Sequence, residues 1–284
     1  MADQAAGAVV GRVEALWRYP VKSMLGEPLQ AATVGPGGLL GDRSFALWDH
    51  ATGRVASAKN PRLWKELLGF TAQCLEPEGP KAGPGAVAIT APAEQGMGQE
   101  RARVLSSDPE VNSWLGQRLG RRVSLLDQAP ERASLDQYWP PVQERDFQDV
   151  VNELVLPSGT FFDSCPIHAI SSASLERLRQ LEPELDFAVE RFRPNLLIRP
   201  ESGASGFVEE AWIGRSLAVG PTLRLQVNDG CPRCVVTTLS QGGLPEDLEI
   251  LRATARHNNV VAGIRLSVIQ PGEMRVGDVV RLLN

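Results

Sequence analysis

Apolar residues in this chain fall in short runs broken by glycine, proline or charge. Val13–Trp17, Ser44–Trp48, Arg122–Leu126, Leu196–Ile198, Leu217–Val219, Leu223–Val227, Ile264–Ile269 and Val279–Leu283 have the lengths and flanks of strands. In Leu223-Arg224-Leu225-Gln226-Val227 apolar and polar residues alternate strictly, which is the period of a strand with one wet face. Helical spacing is rarer. Ser107-Asp108-Pro109 can cap a helix with Val111, Trp114, Leu115 and Leu119 on its buried side. Ser171 or Ser172 can cap a second, carrying Leu175, Leu178 and Leu181, and Pro245 can open a third with Leu248, Leu251 and Ala255. Pro, Gly and Ala dominate from Glu76 to Gln99 and predict a long loop. Pro140, Pro141 and Pro157 mark Gln128 to Gly159 as an irregular connector. The expected class is mainly β with a few helices (α+β), with one β-rich part over 8–127 and another over 128–284. Their boundary is expected within 128–160.

Composition narrows this picture. With 284 residues, 43% of them hydrophobic, the chain can bury a substantial core, and 27 glycines and 21 prolines agree with many turns. A net charge of -5 gives no general attraction to nucleic acid or anionic lipid, so neither is expected as a partner, although a local basic pocket is compatible with it. Four cysteines in a chain of this length do not make a disulfide scaffold. The opening MADQAAGAVVG lacks the charged and apolar regions of a signal peptide, and no apolar run approaches the roughly 18 residues of a membrane span. A cytoplasmic location with reduced thiols is the expectation.

Cys231-Pro232-Arg233-Cys234 follows the alternating strand and precedes the β-branched run Val235-Val236-Thr237-Thr238, which reads as a further strand. One CxxC supplies two of the four ligands of a structural zinc, and His50, His168 and His257 have no ligand spacing to complete it. A thioredoxin-like pair would open a helix instead. Two loop cysteines without a role remain the plain alternative to a thiolate, favoured beside Arg233, that binds a soft metal.

Three other segments carry charge into apolar surroundings. Arg193, in Phe192-Arg193-Pro194-Asn195, needs a partner if buried, either a phosphate or carboxylate held bidentately or the nearby Glu190. Lys22-Ser23, after Tyr19-Pro20-Val21, can offer a charge, a hydroxyl and backbone N–H groups to an anion, or stand solvated; the P-loop glycines are missing. Gly41-Asp42-Arg43 delivers Arg43 into a strand, with Asp42 as a ready ion-pair partner. Asp163-Ser164-Cys165 reads as a turn or cap before the second helix.

In their order, YPVKS, GDRSFALWD, FDSCPIHAISSASLERL, FRPNLLI, CPRCVVTT and PGEMRVGD resemble the MOSC family, in the branch of the mitochondrial amidoxime-reducing component and bacterial reductases of N-hydroxylated bases. The likeness runs from about Val10 to the C-terminus. It implies an N-terminal MOSC-type β-barrel domain followed by a C-terminal MOSC β-barrel domain, and a molybdenum cofactor whose metal takes one protein cysteine. Motif for motif, that ligand and catalytic position falls on Cys234, with Arg233 beside the cofactor. Lys22, Ser23, Arg43 and Arg193 match positions that hold the pterin phosphate. Asn195, Asp163 and Ser164 match positions lining the pocket. The implied activity is oxygen-atom transfer from small N-hydroxylated substrates, a form of N-reductive detoxification. A cofactor or sulfur carrier without turnover is the alternative, and the family is also associated with pyridoxal phosphate binding. No iron–sulfur cysteine cluster follows the last strand, so the expected electron donor is a separate ferredoxin- or flavoprotein-type protein. Gly263-Ile264-Arg265 departs from the family pattern, and Arg265 is expected to alter the pocket mouth.

Overall fold

The computed structural model describes residues 7–75, 85–92, 102–141 and 149–283. Its largest element is a closed barrel of seven strands. Around the ring these are Leu196–Pro200, Ile167–Ser171, Val261–Gln270, Leu223–Pro232, Ser216–Val219, Val279–Leu283 and Ala8–Arg18, the last of which pairs back onto Leu196–Pro200. The closing strand is thus the first in the chain, with Leu16 opposite Leu196 on one side and Ala8 opposite Leu282 on the other. All neighbours are antiparallel except Ile167–Ser171 with Leu196–Pro200. That parallel pair needs a crossover, supplied by the helix Ser172–Leu181.

Alternation fills the barrel. Val13, Leu16, Leu196, Ile198, Leu217, Leu225, Val227, Ile264, Leu266 and Val280 point inward and are buried. Outside it, Ser172–Leu181 and Glu249–Asn258 cover Ile170 and Ala262 with Leu175, Leu178 and Ile250, joined by Phe187 and Phe192. Ser171 caps the first of these helices, its side chain accepting from the Ser174 N–H. The N-terminal half builds smaller sheets, among them Val123–Leu126, Ala46–Asp49, Arg54–Val55 and Thr71–Cys74, Val87–Thr90, Arg103–Leu105. Their core holds Trp64, Phe70, Trp114 and Leu115, with Phe70 and Trp114 edge to face. The strand Ala31–Gly35 pairs with Gly272–Arg275, a second tie between the two ends of the chain.

Several local expectations are corrected. Residues 235–238 form a 3-10 turn, not a strand, because the Thr237 and Thr238 hydroxyls donate to the carbonyls three residues back, those of Cys234 and Val235. The stretch 128–159 contains the hairpin Ser134–Trp139 with Val150–Val155; its prolines bound the strands. Val87–Thr90, inside the expected loop 76–99, pairs on both sides, while residues 76–84 and 93–99 lie outside the described residues. The third helix begins at Glu249 rather than near Pro245, with Asp247 accepting from the Glu249 N–H. No described helix is long and apolar enough to cross a membrane.

Candidate functional site

Between the barrel and the N-terminal sheets lies a cleft of about 370 Å³. Its walls come from segments far apart in sequence: Lys22-Ser23, Arg43, Ser57 and Lys59 on one side, and Phe161 to Cys165, His168, Phe192-Arg193, Asn195 and Cys231 to Cys234 on the other. Among the described residues seven cationic side chains line it (Lys22, Arg43, Lys59, Arg191, Arg193, Arg233 and Arg265) against one carboxylate, Asp163. A chain of net charge -5 therefore concentrates positive charge in this cleft.

Arg43 and Arg193 flank one ring. Each guanidinium carbon stands 4.4 Å from the centroid of Tyr19, whose backbone N–H donates to Asp42 and whose hydroxyl donates to the Pro194 carbonyl at 3.1 Å. Burial raises the Tyr19 hydroxyl to about 12 despite both arginines, so it stays a neutral spacer. Arg43 is paired with Asp42 at 2.5 Å. Arg193 has no such partner. One guanidinium nitrogen donates to the Met24 carbonyl at 2.7 Å, while Nη1 is buried without a partner among the described residues. Glu190 does not pair with it, and burial brings its pKa down to about 10. A half-buried guanidinium with a spare donor and no carboxylate bonded to it among the described residues can receive an anion.

Backbone strain gathers at the same place. Of the six non-glycine residues with positive φ among the described residues, Ser23, Arg43 and Arg193 line this cleft, and the Val260 carbonyl accepts the N–H of Arg233, which also lines it. For Val260 the left-handed region is a clear outlier, and such conformations persist where the surroundings over-determine them.

In the same cleft, Lys22 donates to the Phe161 carbonyl and to Asp163, both at 2.6 Å, and Lys59 meets the other Asp163 oxygen at 3.0 Å. Burial works against the Asp163 charge, but the two ammonium groups hold its carboxyl well below the usual range. Burial lowers Lys22. It also opposes the charge on Lys59, which Asp163 and then the cysteine pair nevertheless raise above the ordinary lysine value. Nothing in Ser57-Ala58-Lys59-Asn60 marks Lys59 in sequence, since no motif surrounds it.

The remaining expected residues divide by engagement. Ser23 accepts from the Ala58 N–H, and Ser164 accepts from Arg265, which is itself paired with Asp229 at the cleft mouth. Asn195 is turned to the framework: it accepts from the His168 N–H and donates to the Trp17 carbonyl, stitching the closing strand to its neighbours. Arg233 donates to the carbonyls of Ala262 and Phe192 and to His168, which burial first and the arginine second hold neutral. Cys234 and Cys231 are partly buried free thiols, and burial raises the latter. Among the described residues no three His, Cys, Asp or Glu side chains converge as a metal cage. A metal here would take its other ligands from a cofactor. The donor set fits one that brings soft ligands and an anionic tail: free thiols, and cationic side chains of which Arg193 has an unused N–H among the described residues.

A two-domain β protein with a cationic, thiol-bearing cleft at the domain junction is the class this structure defines. The chain belongs to the MOSC-domain family: residues 10–122 match the MOSC N-terminal beta barrel domain and residues 157–281 the MOSC domain. It is similar to mitochondrial amidoxime reducing component 2 of Rattus norvegicus, 27% identical over 95% of this chain and 82% of the relative. Mitochondrial amidoxime-reducing component 1 of Homo sapiens is 26% identical over 97% and 84%. Molybdenum cofactor sulfurase of Oryza sativa is 26% identical over 78% of this chain, but over only 28% of its own length.

Proposed function

We propose that the cleft holds a molybdenum cofactor and that the protein reduces small N-hydroxylated compounds with electrons from a separate ferredoxin- or flavoprotein-type donor. The observation that carries this reading is Arg193, a half-buried guanidinium whose Nη1 is buried without a partner among the described residues, in the cleft that also presents Cys234. The relatives named for amidoxime reduction, similar over nearly the whole chain, favour the reductase over a carrier.

In this reading Arg193, Arg43, Lys22 and the Ser23 hydroxyl hold the cofactor phosphate, which brings close to two negative charges to a site already desolvated for them. The Cys234 thiolate supplies the protein's ligand to the metal. When bound, the cofactor supplies two-electron chemistry and the acceptor for an N–O oxygen. The protein supplies orientation and electrostatics. Neutral His168 accepts from Arg233 and so fixes the residue next to Cys234. Asp163 holds Lys22 and Lys59 in place, and Ser164 lines the mouth with Arg265.

The test is metal and pterin content of protein from a molybdate-supplied host, then turnover of an N-hydroxylated base with reduced viologen. About one molybdenum per chain with turnover supports the reading, and bound cofactor without turnover moves it to a carrier. Cys234→Ala is expected to lose the metal and keep the fold, because a single loop thiol contributes little to a core, whereas Cys231→Ala keeps most of it. The reverse pattern sinks the ligand assignment.

A further inference from the structure

Arg193 directly follows the short helix Val189–Phe192, and Cys234 directly precedes the turn Val235–Thr238. An arginine from each of these two segments reaches across to the other. Arg233 Nη1 donates to the Phe192 carbonyl at 3.0 Å, and in the opposite sense Arg191 Nη1 donates to the Thr237 carbonyl at 3.4 Å. Arg191 is only 1% exposed. Its acceptors among the described residues are backbone carbonyls alone: besides Thr237, those of Asp186 at 2.9 Å and Pro245 at 3.0 Å. The Pro245 loop is itself tied to the turn, since the Asp247 N–H donates to the Thr238 carbonyl at 2.7 Å. Thr237 passes the constraint on, because its N–H and its hydroxyl both donate to the Cys234 carbonyl, at 3.1 and 3.0 Å. A buried guanidinium without a carboxylate is costly, and an apolar side chain of similar volume is often at least as stable in its place. An apolar side chain cannot, however, hold the carbonyls of three separate segments from one planar fork.

We infer that Arg191 is a positioning residue: with Arg233 it braces the Arg193 segment against the Cys234 turn, so that the anion-binding guanidinium and the thiol are presented at one fixed separation. The purpose of that separation rests on the reading that one cofactor takes both. A ligand gripped at two points gains from the second grip only where the spacing fits. Loosening the brace therefore weakens retention although neither Arg193 nor Cys234 is touched.

The brace is tested first in empty protein, from a host unable to make pterin cofactors. Iodoacetamide labelling rates are read at Cys234 and, as a reference in the distant sheet strand Thr71–Cys74, at Cys74. A hydrogen bond from a charged donor is worth roughly ten- to a hundredfold in an equilibrium. Arg191→Met should therefore free the turn locally and speed labelling of Cys234 several-fold, with Cys74 unchanged. Arg191→Lys, which keeps the charge but not the fork, should fall between, and it carries the same comparison if the methionine variant does not fold. In protein from a molybdate-supplied host, Arg191→Met should hold several-fold less molybdenum per chain than the wild type. Cys234 labelling unmoved in a folded Arg191 variant overturns the inference, as does a parallel rise at Cys74, which would mean general loosening. Loss of molybdenum with unmoved labelling would make Arg191 a direct contact of the cofactor instead, and full molybdenum in Arg191→Met would show that the spacing does not matter. If the wild type takes up no molybdenum, the cofactor reading fails while the labelling rates still decide the brace.

Discussion

At the scale of single residues, the cleft is a set of charges held without full compensation. Arg193 shows this most clearly, since its guanidinium lies against the Tyr19 ring and one buried nitrogen has no partner among the described residues. Arg193→Ala removes a charge-assisted contact worth on the order of 1.5–3 kcal/mol, so cofactor retention after gel filtration should fall while the melting temperature holds or rises. Full occupancy in that variant would defeat the phosphate cradle. His168 makes a second, pH-dependent case. Its folded pKa lies well below 6.5 because burial, then Arg233, disfavours the imidazolium. The unfolded chain thus binds a proton that the folded one refuses. Stability from this group is present above about pH 6.5 and is lost as the pH falls below it, by at most about 1.4 kcal/mol per unit. Urea midpoints between pH 7.5 and 5.5 should drop in the wild type, and the drop should shrink in His168→Asn. An unchanged slope in the variant would assign the acid sensitivity to other groups.

At the scale of elements, Gly263 shows how the barrel makes room for the site. It lies in the strand Val261–Gln270 at φ +82°, and a Cβ there would stand 2.4 Å from the Ala169 carbonyl and 2.6 Å from His168 Nε2. Gly263→Ala should cost about 1–3 kcal/mol in chemical denaturation and disturb His168 and Arg233 with it. A variant as stable as the wild type would show that the strand relaxes freely. Gly263 itself carried no such message in sequence, because nothing local says which strand will press on it. The same reason divides what was legible from what was not. Strict alternation marked Leu223–Val227, but not its continuation through bulges to Pro232. Leu175, Leu178 and the Ser171 cap marked a helix, since both signals are local. Val235–Thr238 misled because β-branched residues also close a 3-10 turn when their hydroxyls reach back. The hairpin 134–139 with 150–155 was hidden by its prolines. At the site, Lys22, Arg43, Arg193 and Cys234 were marked by motifs, and the structure brings them to one cleft. Lys59 acquires its place only through long-range packing.

At the scale of the whole molecule, charge is partitioned: the chain is acidic overall and the cleft at the domain junction cationic. Small anions should therefore bind more weakly as salt rises, and benzoate or phosphate affinity measured at 50 and 500 mM NaCl should fall several-fold. Salt-independent affinity would mean the cations are neutralised internally. The barrel is equally a property of the whole. Its closing strand, Ala8–Arg18, comes from the far end of the sequence and buries Val13 and Leu16 inside it. A fragment of residues 157–284 should lack a cooperative thermal transition, because two open edges would stand where that strand belongs. A sharp transition in that fragment would show that six strands suffice.

The pairing of Ala8 with Leu282 also fixes an order of events during synthesis. The ribosome makes Ala8–Arg18 before both of its neighbours, Leu196–Pro200 and Val279–Leu283, which emerge only much later. Until Val279–Leu283 leaves the exit tunnel, Ala8–Arg18 carries its apolar face without a place to bury it. Such distant contacts are slow to form, so the nascent chain is exposed to misassembly for longer than one folding domain by domain. The cleft between the halves takes its final shape only once that strand has emerged.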